Sequence, residues 1–159
     1  MLIYKTIQDE VVQSPEKRFG DWIQTYSSIS FWPLDARAEE IEIVDIAHSL
    51  SLQCRFAGHC EEFYSVAEHS CHIFDHVSEK NKLWGLLHDA SEAYLVDLPR
   101  PVKRCMPQYK DIETNLMKVI SHRFQLPEEM PHEVHEADMR ILFDEAKQNM
   151  KEPPIAWLS

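Results

Sequence analysis

The residues best suited to chemistry lie in one short run, His88-Asp89-Ala90-Ser91-Glu92, which follows the apolar run Leu83-Trp84-Gly85-Leu86-Leu87. The apolar run is typical of a helix that packs into a core. Because burying charge without a partner costs free energy, three ionisable groups on such a helix need a cation or strong donors. A metal ion satisfies this need most simply. We therefore predict that His88 and Asp89 are metal ligands and that Glu92, one helical turn later, lies beside the ion.

Two other predicted helices each carry one polar side chain on an apolar face. His69 lies four residues before Ile73, and Asp138 lies three residues before Ile141. Either residue alone has an ordinary explanation, such as a buried histidine with a partner or an exposed carboxylate. Together with the His88–Asp89 pair, however, they supply two imidazoles and two carboxylates. Mixed nitrogen and oxygen ligands suit a divalent first-row metal, namely Mn, Co, Ni, Fe or Zn.

The elements that would position these groups are mainly helices. Apolar residues at helical spacing predict five of them, at residues 43–52, 66 to about 79, 82–94, 109–124 and 134–150. Ser65 and Glu68 have the spacing of a capping box at the start of the second helix. Ile43, Ile46, Ala47 and Leu50 are expected to face inward from the first.

Two segments outside the helices also bear on the fold. Aromatic and β-branched residues at 21–26 and 29–33 flank Ser27-Ser28, a pattern that predicts a small β-hairpin. Segment 97–104 contains two prolines and the densest positive charge in the chain, which predicts a rigid loop. That loop is either a solvated connector or the rim of an anion site beside the metal.

Composition and charge limit the classes of function. The chain has 159 residues, a formal net charge of −11 and 44% apolar residues. An acidic chain lacks the excess of positive charge with which proteins that coat nucleic acid neutralise its phosphates. No stretch approaches the roughly 20 apolar residues that span a bilayer. We therefore expect one cytoplasmic domain over residues 1–159, with an extension at 1–42, a helical core at 43–150, no nucleic-acid partner and no membrane contact.

The four cysteines predict no disulfide. None belongs to a CxxC pair, and in a cytoplasmic protein such cysteines are most simply reduced thiols in the core. A structural zinc site at Cys54, His59, Cys60 and Cys71 is the alternative, although its spacing matches no standard zinc finger. The nine histidines favour metal chemistry in general.

The order of the candidate ligands, a histidine, then a His-Asp pair, then an aspartate, resembles that of the HD-domain metal-dependent phosphohydrolases. Three longer runs, at residues 65–70, 88–92 and 97–103, resemble the bacterial 5′-deoxynucleotidase branch and related phage dATP hydrolases. The likeness covers residues 43–146. It implies an all-α fold, an HD-domain helical bundle, to which this chain adds the small N-terminal β-hairpin.

The resemblance implies roles around the metal. Four residues would hold the ion: His69, His88, Asp89 and Asp138. Two carboxylates, Glu92 and Asp97, would be catalytic and act near the attacking water or the leaving oxygen. Asp97 has an alternative role, in which it caps a helix end or fixes the proline loop.

The resemblance also implies roles in substrate binding. Arg55 would meet a phosphate, and Phe56, at a position where some relatives carry tryptophan, would lie near the sugar or base. Arg55 could instead be a structural salt-bridge partner. Lys103 is a candidate phosphate ligand, and His135, a candidate substrate-binding residue, stands where some relatives carry a basic residue.

These expectations together describe an enzyme that hydrolyses the 5′-phosphates of deoxynucleotides with metal-activated water. Deoxynucleoside monophosphates and triphosphates, dATP among them, both remain open as substrates. One alternative is a non-catalytic nucleotide- or metal-binding module, which would be expected to lack Glu92 or a ligand. Another is a phosphodiesterase of cyclic nucleotides or alarmones, whose additional charged residues are not evident. By analogy with relatives, a homo-oligomer is expected.

Overall fold

The structure, a computed structural model, describes residues 17–155. The first 16 residues of the predicted extension and the last four residues of the tail lie outside that range. Within it the protein is mostly helical, with a two-stranded antiparallel sheet, as the sequence pattern predicted. No helix in the described range combines the length and the apolar character needed to cross a membrane.

The regular elements follow one another in a simple order. They are β1 (Ile23–Gln24), β2 (Ser30–Phe31), α1 (Ile43–Leu52), α2 (Val66–Asp75), α3 (Lys82–Leu87), α4 (Glu92–Leu95), α5 (Arg100–Lys103), α6 (Pro107–Arg123) and α7 (His132–Asn149). Short 3₁₀ turns lie at Ala38–Glu40, Arg55–Gly58 and Glu79–Asn81.

The hairpin predicted at residues 21–33 is present, with shorter strands and a different turn. The Thr25 N–H donates to the Ile29 carbonyl at 3.0 Å, so the connecting loop has three residues, Tyr26 to Ser28, rather than two. Ser28 has a φ of 63°. A left-handed residue at the end of a three-residue loop is a usual way to close a hairpin.

The predicted third helix, 82–94, is wrong as a single element, because it is interrupted where the chemistry lies. Helix α3 ends at Leu87 and α4 begins at Glu92. Between them the Ala90 N–H bonds the Leu87 carbonyl and the Glu92 N–H bonds the Asp89 carbonyl, each at 3.0 Å. These three-residue spacings are those of a 3₁₀ turn. His88 and Asp89 therefore stand on a tightened turn rather than within a regular helix.

The predicted loop at 97–104 is partly helical. Pro99 precedes α5 and Pro101 occupies its first turn. Proline is tolerated there because the first N–H groups of a helix have no partner within the helix. The segment therefore presents its basic residues from a short helix.

Buried apolar residues form two clusters on which the helices pack. Phe31, Leu87 and Ile120 belong to the larger cluster, and Phe31 stacks on Tyr94 with ring centroids 4.1 Å apart, which anchors the hairpin. The smaller cluster joins α2, α3 and α7 through Ile73, Trp84, Val134, Ala137 and Ile141. The packing of α3 and α7 onto α2 places the candidate ligands next to one another.

Two of the residues expected to face inward from α1 are exposed. Ile43 is 42% exposed and Ala47 is also on the surface, and Leu83 on α3 is likewise 42% exposed. On α1 the residue that is buried beside Ile46 is Asp45, which is only 3% exposed. The hydrophobic spacing therefore located α1 correctly but misjudged the direction of its face.

Gly85 permits the close approach of α2 and α3. A Cβ atom at this position would lie 3.2 Å from Ile73 Cγ2 and 3.2 Å from Val77 Cγ2. Such distances are too short for a branched side chain without movement of the neighbours. Gly85 therefore controls how near His88, three residues later, comes to α2.

We expect Gly85→Val to lower the free energy of unfolding by about 1–3 kcal/mol, because the added methyl groups overpack this contact. Urea unfolding followed by circular dichroism measures the change. Leu83→Val places the same residue at a partly exposed position of the same helix and should cost less. Equal stability of the Gly85→Val variant and the unmodified protein would contradict this packing.

Candidate metal site and cleft

Two histidines from neighbouring elements meet in the interior. His69 on α2 is 0% exposed and His88, after α3, is 5% exposed. Helix α2 begins as the capping box predicts, since Ser65 Oγ accepts a hydrogen bond from the Glu68 N–H at 3.0 Å. That start fixes the phase of α2 and turns His69 inward.

The hydrogen bonds of the two imidazoles define which ring nitrogen carries the proton. His69 Nδ1 donates to Glu145 Oε1 at 2.6 Å, and His88 Nδ1 donates to the Gly85 carbonyl at 2.8 Å. A neutral imidazole has one N–H, so both Nε2 atoms then carry lone pairs. These two Nε2 atoms are 3.1 Å apart. Two lone pairs at this distance repel each other unless a cation or a proton lies between them.

Two carboxylates complete the donor set. Asp138 Oδ1 lies 3.2 Å from His69 Nε2 and 3.9 Å from His88 Nε2. Asp89 Oδ2 lies 3.2 Å from His88 Nε2 and 3.8 Å from His69 Nε2. Two nitrogen and two oxygen donors therefore converge on one small volume. The ligand atoms of His69, His88 and Asp138 all lie within 4.8 Å of one another, and this donor set fits a divalent transition metal.

The charges around the histidines favour a cation strongly. Burial lowers the pKa of His88, but the carboxylates of Asp89 and Asp138 outweigh burial and raise it to about 9. Burial opposes ionisation of Asp89 as well, yet His88 and its neighbours hold the pKa of that carboxyl well below its usual range. The pKa of Asp138 is likewise lowered, against burial, by His69 and His88. Without a metal, a proton thus supplies the positive charge that the site demands.

Glu145 is a residue of this site that the sequence prediction missed. Its carboxylate, 4% exposed, accepts hydrogen bonds from His69 Nδ1 at 2.6 Å and from Tyr64 Oη at 2.7 Å. It therefore fixes the tautomer and orientation of His69, as groups behind a metal ligand commonly do. A signal existed in the sequence, because Glu145 follows Ile141 by four residues on the buried stripe of α7, where Ala146 was expected to face inward.

Arg55 bridges the metal cluster and its supporting shell. Its guanidinium lies 3.5 Å from Asp89 Oδ2 and 3.2 Å from Glu145 Oε2, and the residue is 8% exposed. These ion pairs correspond to the structural alternative for Arg55. The residue also lines the open cleft next to the cluster, so the two roles are compatible.

The turn after Arg55 has an unusual backbone. Phe56 has a φ of 54° and Ala57 a φ of 52°. Left-handed conformations in residues other than glycine cost of order 1–3 kcal/mol each and are often found at functional sites. Both residues line the cleft, and Arg55 lies over the Phe56 ring at 5.6 Å. The turn therefore holds the Phe56 ring at the cleft wall.

The cleft has a volume of about 750 Å³ and reaches the metal cluster at Asp89 and Asp138. Glu92 lines it with a carboxylate that is 5% exposed and whose Oε2 atom has no hydrogen-bond partner among residues 17–155. Burial, followed by the charges of Asp89 and Asp97, raises the pKa of Glu92 well above its ordinary value. A buried carboxylate with one free oxygen beside a cluster of candidate metal ligands is suited to take up a proton.

The remaining predicted residues divide into two groups. Asp97 and Lys103 line the cleft, and Lys103 Nζ lies 2.8 Å from Glu113 Oε1 and 3.9 Å from Glu92 Oε1. His135 is exposed on α7 and does not line the cleft. The structure therefore places Asp97 and Lys103 at the cleft, whereas the prediction that His135 belongs to the site is wrong.

The alternative zinc site at Cys54, His59, Cys60 and Cys71 is not assembled. Within the described range, no group of three or more potential metal ligands includes a cysteine. Cys71 is exposed, and all four cysteines are free thiols.

Two comparisons with curated proteins place the chain among relatives, whereas no family model matches it. It is 40% identical over 126 residues to the uncharacterized protein YfdR of Escherichia coli strain K12, and the match covers 79% of this chain and 71% of YfdR. It is 35% identical over 114 residues to an uncharacterized protein of Rhodobacter capsulatus, covering 65% of this chain and 58% of that protein. The match thus spans less than two thirds of the second relative. Neither name states an activity.

The position of Glu145 behind His69 gives a first prediction for this site. Glu145→Gln removes the charge that orients the His69 N–H, and we expect the affinity for Mn²⁺ or Zn²⁺ to fall about 10–100-fold. Isothermal titration calorimetry on metal-stripped protein measures this affinity. Asp144→Asn changes an exposed carboxylate on the same helix and should leave it unchanged. Equal affinities for the two variants would show that Glu145 does not support the metal ligands.

The raised pKa of His88 gives a second prediction. With a pKa of about 9, His88 is protonated at pH 7, and a metal can bind only after that proton leaves. We therefore expect metal binding at pH 7 to release about one proton, and the apparent affinity to rise about tenfold per pH unit between pH 6 and 8. Calorimetric titrations in buffers of different ionisation enthalpy count the protons. A pH-independent affinity without proton release would contradict the charge balance described above.

Proposed function

The chain belongs to the same protein family as YfdR of Escherichia coli, and we propose that it is a metal-dependent phosphohydrolase that acts on the phosphates of deoxynucleotides. One observation carries the proposal: the Nε2 atoms of two buried histidines lie 3.1 Å apart, flanked by two carboxylates, beside an open cleft. Such an arrangement is costly unless a cation or a proton lies between the two nitrogens, and the donor set suits a divalent metal ion.

Four residues would hold the metal: His69, His88, Asp89 and Asp138. When bound, a divalent ion activates water at neutral pH and withdraws charge from phosphoryl oxygens. Asp89 and Asp138 lie at the wall of the cleft, so an ion held by these residues would be reached from the cleft side. His69 and His88 are held from behind by Glu145 and the Gly85 carbonyl.

Glu92 is the proposed proton acceptor. Its raised pKa makes it a stronger base than an ordinary glutamate, and the unpartnered Oε2 atom can accept a hydrogen bond from a water molecule in the cleft. The attacking water would transfer a proton to this oxygen as it bonds to phosphorus, while the bond from phosphorus to the leaving oxygen breaks and that oxygen takes up a proton from solvent. Lys103, 3.9 Å from the other Glu92 oxygen, limits the rise in pKa and keeps the carboxylate available.

Basic residues along the cleft suit a phosphorylated substrate. Lys103, Arg100 and Arg104 line it, in a chain whose formal net charge is −11. Positive charge concentrated at one opening of an acidic protein attracts and orients anions. Arg55, on the same wall, has a buried Nε atom without a hydrogen-bond partner among the described residues. These cations would offset the charge of the phosphate oxygens during hydrolysis.

The other half of the substrate is proposed to be a nucleoside. A cleft of about 750 Å³ can hold a nucleotide, and Phe56 offers an aromatic face to a base. The choice of deoxynucleotides rests on the resemblance of the runs at 65–70, 88–92 and 97–103 to 5′-deoxynucleotidases and phage dATP hydrolases. Monophosphates and triphosphates are both within the proposal.

The experiment incubates metal-stripped protein with Mn²⁺, Co²⁺, Ni²⁺, Zn²⁺ or Mg²⁺ and with the mono-, di- and triphosphates of each deoxynucleoside. Chromatography then separates inorganic phosphate, pyrophosphate and triphosphate. We expect turnover that requires a transition metal. Failure of every combination to release phosphate, pyrophosphate or triphosphate would overturn the proposed activity.

Glu92→Gln tests the role of the proposed base. The amide cannot accept the proton, so kcat should fall by about 10²–10⁴-fold, whereas metal affinity should change little because Glu92 is not a ligand. Glu62→Gln, at an exposed glutamate, is the matched control. A Glu92→Gln variant with the kcat of the unmodified protein would remove Glu92 from the mechanism.

A further inference from the structure

A second cavity, of about 620 Å³, lies between the hairpin, α1 and α4. It is close to the catalytic cleft without being part of it, since Glu92 lines the cleft and the next residue, Ala93, lines this cavity. None of the residues assigned to the metal, to catalysis or to phosphate binding lines the second cavity. Its chemistry therefore needs a separate explanation.

A buried carboxylate in this cavity forms no salt bridge with any of residues 17–155. Asp45 is 3% exposed and its Oδ1 atom accepts a hydrogen bond from the Ser27 N–H at 2.7 Å. Its Oδ2 atom has no hydrogen-bond partner within the described part of the chain. An unpaired carboxylate oxygen in the interior is unfavourable, so a hydrogen-bond donor that reached this atom would be stabilising.

A second acceptor in the same cavity is also unpaired. The Gln53 amide is oriented by its nitrogen, which donates to the Glu92 carbonyl at 2.9 Å and to Ser49 Oγ at 3.1 Å. The amide oxygen must therefore point elsewhere, and it is buried without a partner among residues 17–155. The Tyr94 hydroxyl, which also lines the cavity, has no partner among the same residues, and a hydroxyl can donate as well as accept. The two atoms that can only accept, Asp45 Oδ2 and Gln53 Oε1, favour an occupant that donates hydrogen bonds.

The cavity also has an aromatic wall. Tyr26 and His48 stack with ring centroids 3.8 Å apart and an angle of 16° between their planes. Tyr26 is 63% exposed, so the ring pair lies at the mouth rather than in the core. No lysine or arginine of the described segment lines the cavity. A flat aromatic surface beside an unpaired carboxylate favours a cation, because the ring face attracts positive charge and the carboxylate accepts a charge-assisted hydrogen bond.

We propose that this cavity binds a small organic cation with N–H donors, either an alkylammonium or a planar amidinium or guanidinium group. One N–H group would meet Asp45 Oδ2 and another Gln53 Oε1, while the body of the ligand lies against Tyr26. A phosphate or another anion is disfavoured because Asp45 would repel it. The site is independent of the proposed hydrolase activity, and a binding measurement tests it without turnover.

The test titrates the full chain with agmatine, which carries both an ammonium and a guanidinium group, with butylamine, and with benzamidine, a planar amidinium. Choline is the control, because it is a cation without N–H donors. Saturable calorimetric binding of agmatine, butylamine or benzamidine, at least tenfold tighter than that of choline, is expected. Butylamine and benzamidine distinguish an alkylammonium ligand from a planar one. No saturable binding of any of the three, or equal binding of choline, would overturn the proposal.

Variants locate the binding. Asp45→Asn should weaken binding at least tenfold, because it removes the charge and keeps the shape of the side chain. Tyr26→Leu, at an exposed ring, should weaken it severalfold and serves if the Asp45 variant fails to fold. Asp97→Asn alters the acidic catalytic cleft instead and should leave the affinity unchanged. Binding that survives Asp45→Asn and Tyr26→Leu but is lost in Asp97→Asn would place the cation in the catalytic cleft and overturn the proposed site.

Discussion

The structure depends on the apposition of His69 and His88, whose Nε2 atoms are 3.1 Å apart in the interior. Two hydrogen bonds orient the rings, because Glu145 and the Gly85 carbonyl each accept the Nδ1 proton and turn the two Nε2 atoms toward each other. Without a metal, a proton on His88 relieves the contact, and the packing of α2 against α3 holds both rings. The fold thus accepts a local cost in free energy at a site that attracts a cation. Unfavourable arrangements of this kind are often found at functional sites.

Charge is arranged in shells around this contact. The two histidines are met by Asp89 and Asp138, Asp89 is met by Arg55, and further basic residues line the cleft. Each shell partly neutralises the one before it, so the lining of the cleft carries as many basic residues as carboxylates although the chain as a whole is acidic. A metal ion at the centre and a phosphate at the rim would complete this alternation of charge.

Much of this site could be predicted from the sequence, because a charged residue on an apolar helical face is conspicuous. His69, the His88–Asp89 pair and Asp138 were found that way, and the structure brings all four together. The 3₁₀ turn after Leu87 was not predicted, since its local sequence is compatible with a continuous helix and tertiary packing decides the hydrogen bonding. Glu145 was missed because the inward stripe of α7 was read from its apolar residues alone, although Glu145 continues that stripe four residues after Ile141. His135, expected at the site, is directed to the surface by the same helix.

The central claim is that one metal ion lies between His69 and His88. Anomalous diffraction from a crystal of the Mn²⁺- or Zn²⁺-loaded protein, recorded on both sides of the metal absorption edge, tests it directly. If a metal ion binds there, a single strong peak is expected about 2.0–2.3 Å from the Nε2 atoms of both histidines, with Asp89 and Asp138 as oxygen ligands. A loaded crystal with no peak there, or with the metal bound by other residues, would contradict it.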